Sequence, residues 1–154
     1  MSYELLKSLH LLGVVLFLGN IVVTAVWKVT ADRTARPAVI AHAQRLVTVT
    51  DWTLTLPGAV LILFSGYAMA GGREALLSGG WLTTGWLLFI TSGLLWLLVL
   101  IPIQVKQSRL ARGFRDQEPI PARYWRLAAL WSVVGTVATL LPLANLYLMV
   151  FKPF

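Results

Sequence analysis

The sequence predicts an all-α integral membrane four-helix bundle, on two observations. Four long apolar stretches fill the chain, and the basic residues between them alternate sides. Each stretch is close to the roughly 20 residues that a helix needs to cross the ~30 Å hydrocarbon layer. Because backbone groups find no water in that layer, single apolar spans there form helices. We therefore expect one domain, residues 1–154, with spans at about residues 5–27, 52–70, 81–103 and 127–151.

Composition supports the same fold class. Hydrophobic residues make up 58% of the chain and charged residues 12%, whereas about a quarter of the residues in a soluble domain are charged. The absence of cysteine excludes disulfides, thiolate chemistry and iron–sulfur ligation. The net charge of +7 follows the loops and has no aromatic platform beside it, so we expect a lipid bilayer as partner and no nucleic acid.

The basic residues predict the orientation. Ten of the thirteen lie in or beside the first and third loops, and short loops rich in Lys and Arg stay cytoplasmic. This pattern predicts a multi-pass protein of the bacterial inner membrane with both termini on the outer, periplasmic side. The third loop also predicts a cytoplasmic basic surface, which would lie on anionic lipid or dock a partner protein, formed by Lys106, Arg109, Arg112 and Arg115.

The loop segments suggest how the spans begin. Residues 37–49 read as an interfacial helix before the second span, and Thr50 and Asp51 suit the N-terminus of that span. Trp and Tyr favour the headgroup level, so the aromatic residues at the inner span ends are expected to be membrane anchors: Trp27, Trp52, Tyr124 and Trp125.

Polar residues inside the predicted spans are the candidates for function, because each is costly in hydrocarbon. No Asp, Glu, Lys or Arg falls in the middle of a predicted span, which disfavours proton pumps, ion-coupled transporters and carboxylate-based enzymes. Helical spacing predicts an interior polar seam, made of His10, Asn20, Ser65, Tyr67 and Asn145. This seam would either pack the bundle or line a ligand site.

Four of the seam residues lie at a similar depth from the outer surface. His10, Ser65, Tyr67 and Asn145 could therefore meet in one cluster. Pro142 would assist the cluster, because proline frees the carbonyl of Ala138 and bends the last helix.

His10 is the candidate cofactor ligand, since neutral imidazole is a common axial ligand of b-type haem. The second histidine, His42, falls in the inner loop, so a bis-histidine site within one chain is disfavoured. Three sites remain open: a five-coordinate haem, a haem shared between subunits, and a chlorophyll-type magnesium. The alternative is that His10 is a hydrogen-bonded core residue.

Short motifs resemble known membrane families. The opening Leu5–Gly13 segment and the closing Val150–Phe154 segment are similar to HemJ-type protoporphyrinogen oxidases and the CopD-like membrane group. The Asp51–Gly58 stretch is more similar to an uncharacterised family of small predicted integral membrane proteins. The resemblance implies a four-helix fold and a haem contact at His10. Residues 22–28 lack the arginine of the HemJ pattern, so the fold is expected to carry over without the activity.

Two functional classes follow. The first is a non-catalytic accessory subunit that packs against other subunits of a larger respiratory or photosynthetic complex. The second is a small haem-dependent oxidoreductase or electron carrier that uses His10. Whether the chain is an enzyme stays open, and transport is a weaker third interpretation.

Overall fold

The computed structural model describes residues 1–114 and 119–153, and this part of the chain is helical without strands. Its seven α-helices are α1 (Tyr3–Arg33), α2 (Pro37–Thr50), α3 (Leu56–Ala70), α4 (Arg73–Leu76), α5 (Gly80–Leu95), α6 (Ile101–Ala111) and α7 (Ala122–Phe151). Two π-helical turns, Asp51–Thr55 and Trp96–Leu100, join α2 to α3 and α5 to α6.

Joined in this way, the helices form four candidate membrane spans, Tyr3–Arg33, Pro37–Ala70, Gly80–Ala111 and Ala122–Phe151. The predicted all-α fold with four spans is thus confirmed. The spans have 30 to 34 residues, about 45–50 Å of helix, which exceeds the hydrocarbon thickness. Most of the added length lies beside the first and third loops. We call this end of the molecule the basic end.

The second span contains the helix predicted at residues 37–49. This helix, α2, continues through a π-turn into α3 without a break, and its place at the membrane interface stays a prediction. Thr50 and Asp51 therefore do not cap a helix start. The N-terminal residues of this span are Arg36 and Pro37, and Pro37 is tolerated there because the first helical N–H has no partner to lose.

The spans pack as two hairpins. In the first hairpin, α1 crosses α3 where Gly13 faces Gly58. A Cβ on Gly58 would lie 2.8 Å from the backbone nitrogen of Phe17, so only glycine permits this approach. In the second hairpin, α5 packs on α7, and the Ser92 hydroxyl donates to the Ala138 carbonyl at 2.7 Å.

Pro142 explains the bond between Ser92 and Ala138. A proline has no N–H, so the carbonyl four residues earlier loses its helical partner. Ser92 supplies the missing donor from the neighbouring helix. The expectation that Pro142 frees the carbonyl of Ala138 is therefore consistent with the observed contact.

The hairpins meet at the basic end and enclose clefts elsewhere. There α2 packs against α6, and Ile40, Tyr124 and Ala128 form a small buried core. Further along the bundle, Phe17 of the first hairpin contacts Phe89 of the second, with ring centroids 5.4 Å apart. Cavities lie on both sides of this aromatic pair.

Candidate ligand cleft and buried polar network

A cleft of about 330 Å³ lies between the two hairpins, at the end opposite the basic end. All four spans line it, mostly with apolar side chains. Leu11 of the first span and Val150 of the fourth border the cleft and are 56% and 67% exposed. The cleft therefore opens along the groove between the first and fourth spans, which would face lipid.

His10 is held on the wall of this cleft. Its Nδ1 lies 3.0 Å from the Ser65 hydroxyl, which itself donates to the Leu61 carbonyl. A Cβ on Gly66 would lie 3.3 Å from His10 Cε1, so the ring packs against this glycine. Among the described residues Nε2 has no hydrogen-bond partner. One ring nitrogen is therefore fixed and the other is available to a ligand.

Two further polar groups contribute to the cleft. Lys7, one helical turn before His10, brings a positive charge. Asn145 is buried, and its Oδ1 has no hydrogen-bond partner in the described part of the chain. The structure thus places His10, Ser65 and Asn145 at the same cleft or on its wall.

The remaining predicted seam residues lie elsewhere. Tyr67 is 48% exposed, so the expectation that its side chain is part of the interior is wrong. Asn20 is buried on the other side of the Phe17–Phe89 pair, where it bonds to Asp51. His42 is exposed on α2, near the basic end of the molecule, whereas the cleft lies at the opposite end.

A second cavity, of about 240 Å³, lies between the Phe17–Phe89 pair and the basic end. Phe17 lines both cavities, so its ring stands between them. Leu140 of the fourth span and Val29 of the first border the second cavity and are 57% and 37% exposed. This cavity therefore opens along the same groove as the cleft.

Asp51 is the centre of a buried network at the second cavity. Its Oδ1 accepts from Asn20 Nδ2 at 3.3 Å and from Thr55 Oγ1 at 3.1 Å. Its Oδ2 accepts from Gln104 Nε2 at 2.9 Å and from Trp96 Nε1 at 3.5 Å. These donors come from the first, second and third spans, so the carboxylate connects three helices.

The position of Asp51 corrects the prediction that no acidic residue lies in the middle of a span. Asp51 is 4% exposed and lies well inside the helix Pro37–Ala70. The apolar stretch begins at Trp52, so hydropathy alone places Asp51 at the N-terminus of the span. The signal that sequence reasoning missed is the helical spacing of Gln44, Val47, Asp51 and Thr55, which continues the buried face of α2 into the span.

A second buried charge lies closer to the basic end. Lys28 is 1% exposed, and its ammonium donates to Asp32 and, at 2.8 Å, to the Tyr124 hydroxyl. Tyr124 in turn donates to Asp32 Oδ1 at 2.7 Å. Tyr124 is fully buried, so it is not the membrane anchor that its position near a span end predicts. Trp27, Trp52 and Trp125 are exposed, as anchors need to be.

Buried glutamines of α2 and α6 lie in the part of the bundle where these two helices pack together. Gln44 donates to the Gln104 carbonyl at 3.4 Å, while its Oε1 has no partner among the described residues. Gln107 is 0% exposed and neither of its amide atoms has a partner there. This part of the interior is thus polar and only partly satisfied by protein groups.

The predicted basic surface is exposed where the structure describes it. Lys106 and Arg109 are exposed along α6, Arg112 is exposed directly after it, and Arg115 lies outside the described residues. No group of three or more His, Cys, Asp or Glu residues with metal-ligand geometry occurs in the described part of the chain.

Comparison with known proteins identifies the family. The chain belongs to DUF2269, a family of predicted integral membrane proteins, whose model matches residues 4–153. No curated protein and no solved structure matches the chain.

Proposed function

We propose that this integral membrane protein binds a tetrapyrrole of the b-type haem class in the cleft between its hairpins, with His10 as the axial ligand. The observation that carries the proposal is the state of the His10 ring. Its Nδ1 pairs with Ser65 while its Nε2 has no partner among the described residues. Ligating histidines commonly use the second nitrogen in this way, to fix the tautomer and ring orientation.

The other residues of the cleft suit the same ligand class. Its lining is largely apolar, and Lys7 supplies a cation for an acidic substituent at one end. The volume of about 330 Å³ is near the lower end of the ~300–1,000 Å³ range of small-molecule sites. A large ring would therefore project into the open groove between the first and fourth spans. A haem held by His10 would supply redox chemistry.

The visible absorption spectrum tests this proposal. The protein is produced in haem-replete cells, purified in mild detergent, and compared with His10→Ala and the matched variant His42→Ala. We expect a Soret band in the wild type and in His42→Ala, and its loss in His10→Ala with the protein still monodisperse. A folded wild-type protein without a Soret band, or a band that survives in His10→Ala, contradicts the proposal.

The accessory-subunit function is the second candidate, and one observation favours it. Gly93 on the third span has open space beside it. A small residue on a lipid-facing surface lets another membrane helix approach closely. A stoichiometric membrane partner that copurifies with the wild type and is lost from Gly93→Leu would support this function. Recovery of the same complex from Gly93→Leu would argue against this surface.

The orientation is part of the proposed function. We infer that the basic end faces the cytoplasm of a bacterium and that the cleft with His10 lies toward the periplasm. The support is the distribution of charge: ten basic residues accompany the loops at one end and three lie at the other.

A further inference from the structure

Asp51 places a negative charge beside the second cavity without a cation to balance it. Its two oxygens accept hydrogen bonds from four side chains, those of Asn20, Thr55, Gln104 and Trp96. These bonds favour the ionised form and leave no acceptor position for a further donor. In the described part of the chain, the buried ion pair joins Lys28 to Asp32 and does not include Asp51. The charge of Asp51 is therefore stabilised by dipoles alone.

A carboxylate in this state attracts an ion more than it attracts a hydrogen-bonding ligand. A charge inside the membrane is costly unless another charge balances it, and Asp51 is the ionisable group among the described residues that line the cavity. A cation in the cavity would balance it by Coulomb attraction, which needs no free lone pair. Because the acceptor positions are taken, a cation without N–H groups suits the site better than one that must donate.

Aromatic side chains contribute to the same cavity. Phe17 of the first span, Trp96 of the third and Trp131 of the fourth line it. Aromatic rings attract cations, and binding sites for quaternary ammonium groups commonly combine several rings. Lys28 lies 5.8 Å from the centroid of the Trp131 ring, but Asp32 neutralises its charge. The net charge of these buried groups therefore stays negative.

The cavity is reached from the membrane. Val29 of the first span and Leu140 of the fourth border it and are exposed toward the groove between these spans. A ligand must therefore cross an apolar environment to enter sideways. An ion whose charge is covered by apolar substituents can do so, whereas a hydrated metal ion cannot.

We propose that the second cavity binds a lipophilic quaternary ammonium ion, a positively charged nitrogen with four apolar substituents. The Asp51 carboxylate attracts the ion, and the three aromatic rings surround it. The volume of about 240 Å³ suits compact substituents, and longer ones extend into the open groove. The site is separate from the cleft with His10, because the Phe17–Phe89 pair stands between them.

Binding of tritiated tetrapropylammonium tests the proposal, with the protein in nanodiscs of zwitterionic phosphatidylcholine so that the lipid adds no net charge. We expect saturable binding, weakened at least about tenfold in Asp51→Asn, because the attracting charge is lost from a site of low dielectric. Glu74→Gln removes an exposed carboxylate and should bind as the wild type does. The uncharged 4,4-dipropylheptane carries the same four propyl groups on carbon and should not displace the ion.

A second variant covers the case in which Asp51→Asn does not fold. A Cβ at Gly135 would meet only Leu100 Cδ2, at 4.0 Å, so Gly135→Leu adds bulk toward the cavity at little cost to packing. Gly19→Leu, where nothing lies within 4 Å, is its control. We expect Gly135→Leu to abolish binding of the ion and Gly19→Leu to retain it.

Three results would each overturn the inference: no saturable binding of tetrapropylammonium, unchanged affinity in folded Asp51→Asn or Gly135→Leu, or equal displacement by 4,4-dipropylheptane. His10→Ala separates this site from the haem site. It should lose any Soret band and keep binding of the cation, so either proposal can fail without the other.

Discussion

Asp51 and Trp96 occupy the same position in two π-turns and contact each other across the bundle. Each is the first residue of its turn, and each lies six residues before a proline, Pro57 or Pro102. Trp96 Nε1 donates to Asp51 Oδ2 at 3.5 Å. The amide of Leu56 reaches back to the Asp51 carbonyl and that of Ile101 to the Trp96 carbonyl, so each turn contains one extra residue.

The extra residue changes which side chains face the interior. It rotates the helix before each turn relative to the helix after it, and Asp51 and Gln104 then meet between the hairpins. π-turns in helices are frequent at functional sites. Here the two turns place the buried carboxylate and the indole beside the second cavity.

Removal of the Asp51 carboxylate should destabilise the bundle. Asp51→Ala leaves the donors of Thr55, Gln104 and Trp96 without their acceptor, and unsatisfied buried donors cost roughly 1–3 kcal/mol each before relaxation. We expect the free energy of unfolding to fall by about 2–4 kcal/mol. Unfolding by sodium dodecyl sulfate in mixed micelles measures this change.

Glu74→Ala is the control for the Asp51 variant. Glu74 is an exposed carboxylate on the short helix α4, so its loss should change the unfolding free energy by less than about 0.5 kcal/mol. Equal effects of the two variants would show that the Asp51 network is not what connects the three spans.

The Lys28 ammonium should stabilise the bundle through its hydrogen bonds to Tyr124 and Asp32 at the basic end. Lys28→Met leaves Asp32 without its cation, and removal of one partner of a buried pair costs about 3–5 kcal/mol. Because Asp32 is 16% exposed, we expect the lower end of that range. The double-mutant cycle with Tyr124→Phe should give a coupling of about 1 kcal/mol, as for residues in one hydrogen-bond network.

The exposed Lys106→Met is the matched control for Lys28→Met, since it also removes one ammonium but from the protein surface. Its thermal midpoint should equal that of the wild type. Additive effects of Lys28→Met and Tyr124→Phe would contradict a shared network.

The sequence predicted the four spans well because hydropathy depends only on local composition. It placed the span ends at the basic end less well, since a helix continues past the last apolar residue when polar side chains find partners on other helices. Lys28 lies just past residue 27, the predicted end of the first span, and its partner Tyr124 lies 96 residues away. Pairings at that separation leave no local signal.

The candidate site could likewise be predicted only in part. His10 and Asn145 could be placed near the cleft from depth and helical spacing alone. Asp51 was missed because hydropathy starts the predicted second span at Trp52, which leaves the buried face of α2, with Asp51 at its end, outside the span. The unpartnered Nε1 of Trp131 depends on packing between spans, which leaves no signal in the local sequence.

Gly58 should be essential for the first hairpin. A Cβ there would lie 2.8 Å from the Phe17 nitrogen and 2.9 Å from the Gly13 carbonyl oxygen, and neither backbone atom can move away cheaply. Gly58→Leu should therefore lower the unfolding free energy by more than the about 1–3 kcal/mol typical of overpacking. Gly19→Leu, with open space around the added side chain, should leave stability unchanged in the same micelle assay.

The proposed orientation predicts opposite labelling of two introduced cysteines. The natural chain has none, so each variant carries a single thiol. Glu74→Cys lies exposed in the loop opposite the basic end, and Gly113→Cys lies exposed just after α6 at the basic end. Because short basic loops stay cytoplasmic, a membrane-impermeant maleimide added to intact spheroplasts should label Glu74→Cys and spare Gly113→Cys. Detergent should make both thiols reactive. Labelling of Gly113→Cys alone before detergent would reverse the proposed orientation and would place the cleft with His10 toward the cytoplasm.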